Sequence, residues 1–193
     1  MFSESNGIDI HKVIEATNSQ PFSHIHTPGI AVGGHCIPIY PRLYLWNDPL
    51  ATVVRAAREA NQEMPKNVVN TLAKLHGDLK GQRVVVLGAS YRGGVKETAF
   101  SGVFPVVAEL KKLGAEVYVH DPLYEDDELK TLGFAPYHYG EEVVAAIVQT
   151  AHQEYSQLKI DMLPGLISIL DGRAITNSAT WKDIQYHKLG TPL

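Results

Sequence analysis

The sequence predicts an α/β protein, a parallel-sheet domain preceded by a helical segment with one long helix. Three observations predict it. Arg83-Val84-Val85-Val86-Leu87 is a short apolar run closed by Gly88, the pattern of a strand buried on both faces of a parallel sheet. Further strand patterns follow, separated by helical stretches of about a dozen residues, which makes βαβ units. Upstream, Leu50, Val53, Val54, Ala57, Met64, Val68, Leu72 and Leu75 recur at three- and four-residue spacing, the stripe of an amphipathic helix. The two textures meet near Gly77 to Gly81, so the expected organisation is a helical segment over 1–77 and a sheet domain over 78–193.

Taken in order, Asp9 opens a short helix with Ile10, Val13, Ile14 and Thr17 on one side, ending before Asn18-Ser19-Gln20-Pro21. Phe22 to Pro41 has no period and carries Pro28, Gly29, Gly33, Gly34 and Pro38, so it reads as a loop with demanding backbone angles. Asp48-Pro49 has the form of an N-cap acid followed by proline at the first helical position. The long helix is therefore expected over 49–75, with a kink or short break at Pro65. Its stripe is longer than one small α/β domain can cover, which predicts a homodimer seamed along this helix. Strands are expected at Arg83–Leu87, Glu116–Val119, Val143–Val148 and Leu166–Leu170, and a helix at Ser101–Leu113 closed by Gly114. Glu125-Asp126-Asp127-Glu128 reads as the acidic first turn of a helix, favoured there by the helix dipole.

Composition narrows the function classes. The 193 residues hold 17 Lys and Arg against 21 Asp and Glu, a net charge of −4, which offers nothing to nucleic acid or to an anionic membrane surface. No apolar run approaches the roughly 20 residues of a membrane span, and no signal segment opens the chain, so a cytoplasmic location is expected. At 45% hydrophobic and 20% charged the composition is that of a folded globule. A single cysteine excludes an internal disulfide framework and a Cys-rich zinc site. His24, His26 and His35 share one loop but lack the clustered acids that a metal would require, so no metal is expected.

That cysteine, Cys36, sits in the sharpest local feature, Gly33-Gly34-His35-Cys36-Ile37-Pro38, where glycines allow backbone N–H groups to approach a ligand. After it come Ala57-Arg58-Glu59-Ala60-Asn61-Gln62-Glu63-Met64-Pro65 and Val84 through Gly88-Ala89-Ser90-Tyr91-Arg92. Gly114-Ala115-Glu116-Val117, His120-Asp121-Pro122 and Asp171-Gly172-Arg173 follow. In that order, over about Gly7 to Arg173, these segments resemble the UDP-glucose/GDP-mannose dehydrogenase family. The resemblance implies a Rossmann-like domain that binds a nucleotide sugar. It also implies oxidation of the sugar C6 alcohol to a carboxylate by two hydride transfers to NAD, with Cys36 as the nucleophile that forms a thiohemiacetal and then a thioester. Gly33, Gly34, Tyr91 and Arg92 would then bind substrate, and subunits would pair through the central helix. The chain departs from the family pattern at Tyr40, where an aspartate is usual, at Arg92, where a lysine is usual, and at Ala99, where an arginine is usual. It contains no Gly-x-Gly-x-x-Gly fingerprint, so it resembles a C-terminal portion, with NAD bound mainly by a preceding domain and the isolated chain inactive. The competing reading is a non-catalytic nucleotide-sugar-binding or assembly module. Arg55 and Arg58 are expected to be solvated or dimer-facing. His120-Asp121-Pro122 is either a ligand-gathering strand end or a plain strand-to-turn junction.

Overall fold

The computed structural model describes residues 1–193 and is centred on six parallel strands. Helices α1 (Phe2–Ser5), α2 (Ile10–Asn18), α3 (Cys36–Asn47) and α4 (Thr52–His76) precede the sheet. Strand β1 (Arg83–Leu87), helix α5 (Val103–Lys112), strand β2 (Glu116–His120), helix α6 (Asp126–Thr131) and strand β3 (Ala135–Pro136) form its first half. Strands β4 (Ala145–Val148), β5 (Ser168–Asp171) and β6 (Gln185–Lys188) form the second, joined by short 3₁₀ turns. The spatial order β3-β2-β1-β4-β5-β6, with every neighbouring pair parallel, is the doubly wound order.

The strands alternate between two cores, as residues of period two must when both faces are covered. Val84, Val86, Val119 and Ile147 point to one side, where they meet Val68, Val69 and Leu72 of α4 and Val106 and Leu110 of α5. Val85, Leu87, Val148 and Ile169 point to the other, against Tyr137, Tyr155, Leu163 and Trp181. Each such side chain, fully withdrawn from water, contributes on the order of 1.5–3 kcal/mol.

Local chemistry explains the helix ends. The Asp9 carboxylate accepts the His11 N–H at 2.9 Å and caps α2. Glu125 and Glu128 form a reciprocal capping box at the start of α6, so the acidic run is indeed a helix first turn.

Several expectations are corrected. Helix α3 begins at Cys36, inside the stretch expected to be a loop through Pro41; Pro38 lies in its first turn, where a missing N–H leaves no intrahelical bond unmade. Asp48 closes α3 rather than opening the next helix, and its carboxylate accepts the Leu50 N–H at 3.2 Å. The long helix therefore starts at Thr52. Pro65 does not break it: α4 is continuous over 25 residues, and the buried proline ring offsets the missing bond to the Asn61 carbonyl. Strands β3 and β6 escaped the sequence reading because one has two residues and the other, Gln-Tyr-His-Lys, has no apolar run. The stripe of α4 also divides. Pro65, Val68, Val69 and Leu72 are buried against the chain's own sheet, whereas Val53 is 80% exposed.

Candidate functional site

The C-terminal ends of β1, β2 and β4 are tied together by polar groups from which water is shut out. Asp121, just past β2, turns inward: one carboxylate oxygen accepts the N–H groups of Ala89 and Ser90 at 2.8 and 2.9 Å, and the other accepts that of Leu123 at 2.9 Å. His152, buried behind the β1 turn, completes the arrangement with Nε2 at 3.0 Å from Asp121. Since the Gly94 N–H donates to His152 Nδ1, the ring proton sits on Nε2 and is given to Asp121. Burial alone would raise the Asp121 carboxyl. The hydrogen bonds from His152, Ser90 and Leu123 outweigh it and hold the group below the usual carboxylate range. His120 is pushed down to about 4, mainly by burial, and stays neutral at pH 7, with its ring 4.4 Å from that of Tyr139. Here His120-Asp121-Pro122 is a structural junction, for the carboxylate is consumed internally.

The loop before α3 is seated on this framework. Arg173, in the turn after β5, reaches across with Nε on the Gln149 carbonyl at 2.6 Å and Nη2 on the Ala31 carbonyl at 3.3 Å. Its guanidinium lies where a side chain at Gly29 would be, so a substitution there would have to displace Arg173 from the loop. Gln149 continues inward to the Ser101 hydroxyl at 2.7 Å, and Thr150 to the Ser90 carbonyl at 2.5 Å.

Of the expected site residues, the structure brings three into contact. A Cβ on Gly33 would lie 2.7 Å from Tyr91 Cβ and 2.8 Å from the Phe100 carbonyl oxygen. Gly34, at φ +87°, lies beneath the Tyr91 ring and donates its N–H to the Ala99 carbonyl at 2.8 Å. Cys36 follows two residues later as the first residue of α3, exposed and free. Arg92 is exposed beside Tyr91 and makes no ion pair. His35 turns away to Glu97, 3.4 Å distant. Tyr40 stands one turn beyond Cys36, 64% exposed. The sequence reading missed His152, Gln149 and Thr150. The signal was present as a polar pair, Gln149-Thr150, directly after an apolar strand.

The turn after β1 does not fit a dinucleotide. Its glycines serve internal packing: a Cβ at Gly88 would strike Thr150, and one at Gly93 would strike the Ala151 carbonyl. No helix begins at the turn to receive a dinucleotide's phosphates on its N-terminus, α5 starting only at Val103. The Asp121 carboxylate is buried and engaged inward rather than turned toward a ribose. No group of three or more His, Cys, Asp or Glu is placed to hold a metal ion. No helix is long and apolar enough to cross a membrane.

A doubly wound sheet whose first turn is packed against a glycine loop defines an α/β protein of the class that gathers ligands at the carboxyl ends of its strands. Comparison makes this specific. Residues 1–63 match the central domain, and residues 85–178 the UDP binding domain, of the UDP-glucose/GDP-mannose dehydrogenase family. The chain belongs to that family. It is 30% identical to a UDP-N-acetyl-D-mannosamine dehydrogenase of Methanocaldococcus jannaschii over 186 residues, covering 93% of this chain and 43% of that protein. The solved UDP-D-ManNAc dehydrogenase of Pyrococcus horikoshii superposes with a TM-score of 0.81 at 25% identity, over 98% of this chain and 46% of the other. A UDP-glucose dehydrogenase from Pyrobaculum islandicum gives 0.82 at 25% identity, over 98% and 45%. The chain thus spans less than half the length of these relatives.

Proposed function

We propose that this chain is the UDP-sugar-binding and thiol-bearing part of an NAD-dependent nucleotide-sugar 6-dehydrogenase that works in the cytoplasm on precursors of polysaccharide. The observation that carries the reading is the seating of Gly33 and Gly34 on Tyr91. It fixes the loop against the β1 turn, and Cys36, the first residue of α3, follows two residues after Gly34. In this reading the Cys36 sulfur adds to the C6 carbon of an intermediate aldehyde. The S–C bond forms as the C=O π bond breaks, the thiol proton passes to the oxygen, and a thiohemiacetal results. The first backbone N–H groups of α3, where no side chain caps the helix, are donors for the oxygen on which charge gathers. NAD would accept the hydride in the whole protein. The β1 turn of this chain, with no helix starting at it and its glycines packed against Thr150 and Ala151, is not built to hold the dinucleotide.

The exposed Arg92 side chain supplies a cation for a nucleotide diphosphate. Of the β1-turn N–H groups only those of Arg92 and Gly93 are left to donate beside it, since Gly88, Ala89, Ser90, Tyr91 and Gly94 donate internally. Titration calorimetry with UDP is expected to show saturable binding to the 193-residue chain, weakened about tenfold by Arg92→Ala. Equal affinity for wild type and variant removes Arg92 from the site, and no binding at all overturns the UDP reading. The same chain is expected to produce no NADH from NAD and a panel of nucleotide sugars.

A further inference from the structure

Arg58, expected to be solvated or dimer-facing, is not fully solvated within the chain. It is half-buried on α4, and its Nε is withdrawn from solvent with no hydrogen-bond partner. It lines a cleft of about 400 Å³ together with Arg42 of α3, Asn61, Gln62, Phe100 and Phe104. The cleft lies alongside the glycine loop, whose Val32 N–H is held by the Asn61 side-chain oxygen at 2.8 Å. No aspartate or glutamate lines it. Neither arginine is in an ion pair, and Arg42 is held 5.2 Å over the Phe100 ring.

We propose that this cleft binds the diphosphate of a nucleotide, as a second anion site separate from Arg92. Arg58 Nε is closed to the cleft as it is to solvent, so the donors to an anion are the outer guanidinium nitrogens of Arg42 and Arg58. Two guanidinium groups in one cleft with no acid between them match the charge and the fork geometry of a diphosphate. The side-chain oxygen of Asn61 is used on Val32, which leaves its NH₂ group to donate to the anion. Phe100 and Phe104 add an apolar wall against which the organic part of a nucleotide can lie. None of this depends on Cys36 being a nucleophile or on Arg92 touching UDP.

The test is titration of the 193-residue chain with inorganic pyrophosphate. Binding is expected in the Arg92→Ala background, and it should weaken about tenfold when Arg42→Gln or Arg58→Gln is added. Arg58 is half-buried, so circular dichroism must first show that its variant folds. Arg42 is exposed, and its variant keeps the test open if the other does not fold. UDP and NAD titrated in the same background distinguish the sources, the one whose affinity falls with Arg42→Gln being the cleft's ligand. The proposal is overturned if Arg92→Ala abolishes all pyrophosphate binding, or if both new variants bind as well as their parent. It is likewise overturned if pyrophosphate has no effect while Arg42→Gln shifts the monomer–dimer balance in light scattering. In that case a carboxylate of a second copy occupies the cleft.

Discussion

At the scale of single residues, Asp121 bears the most. It accepts from three backbone N–H groups and from His152, all behind the β1 turn. In Asp121→Asn the side chain keeps one acceptor oxygen. Its NH₂ group must then face either the N–H of Leu123 or the donors of Ala89, Ser90 and His152, so donor opposes donor. Thermal or urea unfolding is expected to show a loss of about 2–4 kcal/mol, more than a surface Asp→Asn change gives. The sign with pH follows from the lowered carboxyl. Its stabilisation is complete above the unfolded-state value near 3.9 and is lost as pH falls through the lower folded value. Between about pH 5 and pH 3 wild type should therefore lose more stability than the variant, and parallel curves would refute the charge. The sequence marked His120-Asp121-Pro122 as a strand end. It did not reveal which way the carboxylate turns, because its partner His152 lies 31 residues away.

At the scale of elements, the close approach of β1 and β4 explains both what was legible and what was not. Apolar runs displayed β1 and β4 directly, and Asp9 and Glu125 displayed their helix starts, since each signal sits within a few residues of its effect. The start of α3 was hidden by its prolines and the start of α4 by Asp48-Pro49, a start motif spent on ending the previous helix. The turn glycines were visible, but not their reason. Gly93 does not have a positive φ, and what requires it is the Ala151 carbonyl standing where a Cβ would go. Backbone cannot yield as a flexible side chain can, so Gly93→Ala must push the two strand ends apart. It should destabilise the chain by about 2–4 kcal/mol in urea titration. Gly94→Ala, with open space around it but a φ of +73°, should cost about 1 kcal/mol. Equal losses at the two positions would place the constraint in backbone conformation rather than in packing.

At the scale of the whole molecule, the question is what covers the apolar surface that the sheet does not. The second half of α4 needs no partner, because Val68, Val69 and Leu72 complete the chain's own core. The surface that remains lies further up the chain: Trp46 is 83% exposed, Leu50 87% and Val53 80%, with Ile37, Leu43 and Tyr44 of α3 also open to water. Soluble chains seldom expose so many large apolar side chains along one stretch. A second copy meeting it about a two-fold axis would cover both surfaces at once. If the chain pairs, the seam is expected on α3 and the first turns of α4, upstream of most of the 49–75 stripe. Light scattering at micromolar concentration is expected to give twice the 21.2 kDa of the chain. Trp46→Asp with Val53→Asp should yield a folded monomer with an unchanged circular dichroism spectrum. Val68→Asp should instead unfold the chain, since it places a charge where 1% of the residue is exposed. A monomeric wild type, or a dimer that survives the double substitution, would remove the seam from this surface.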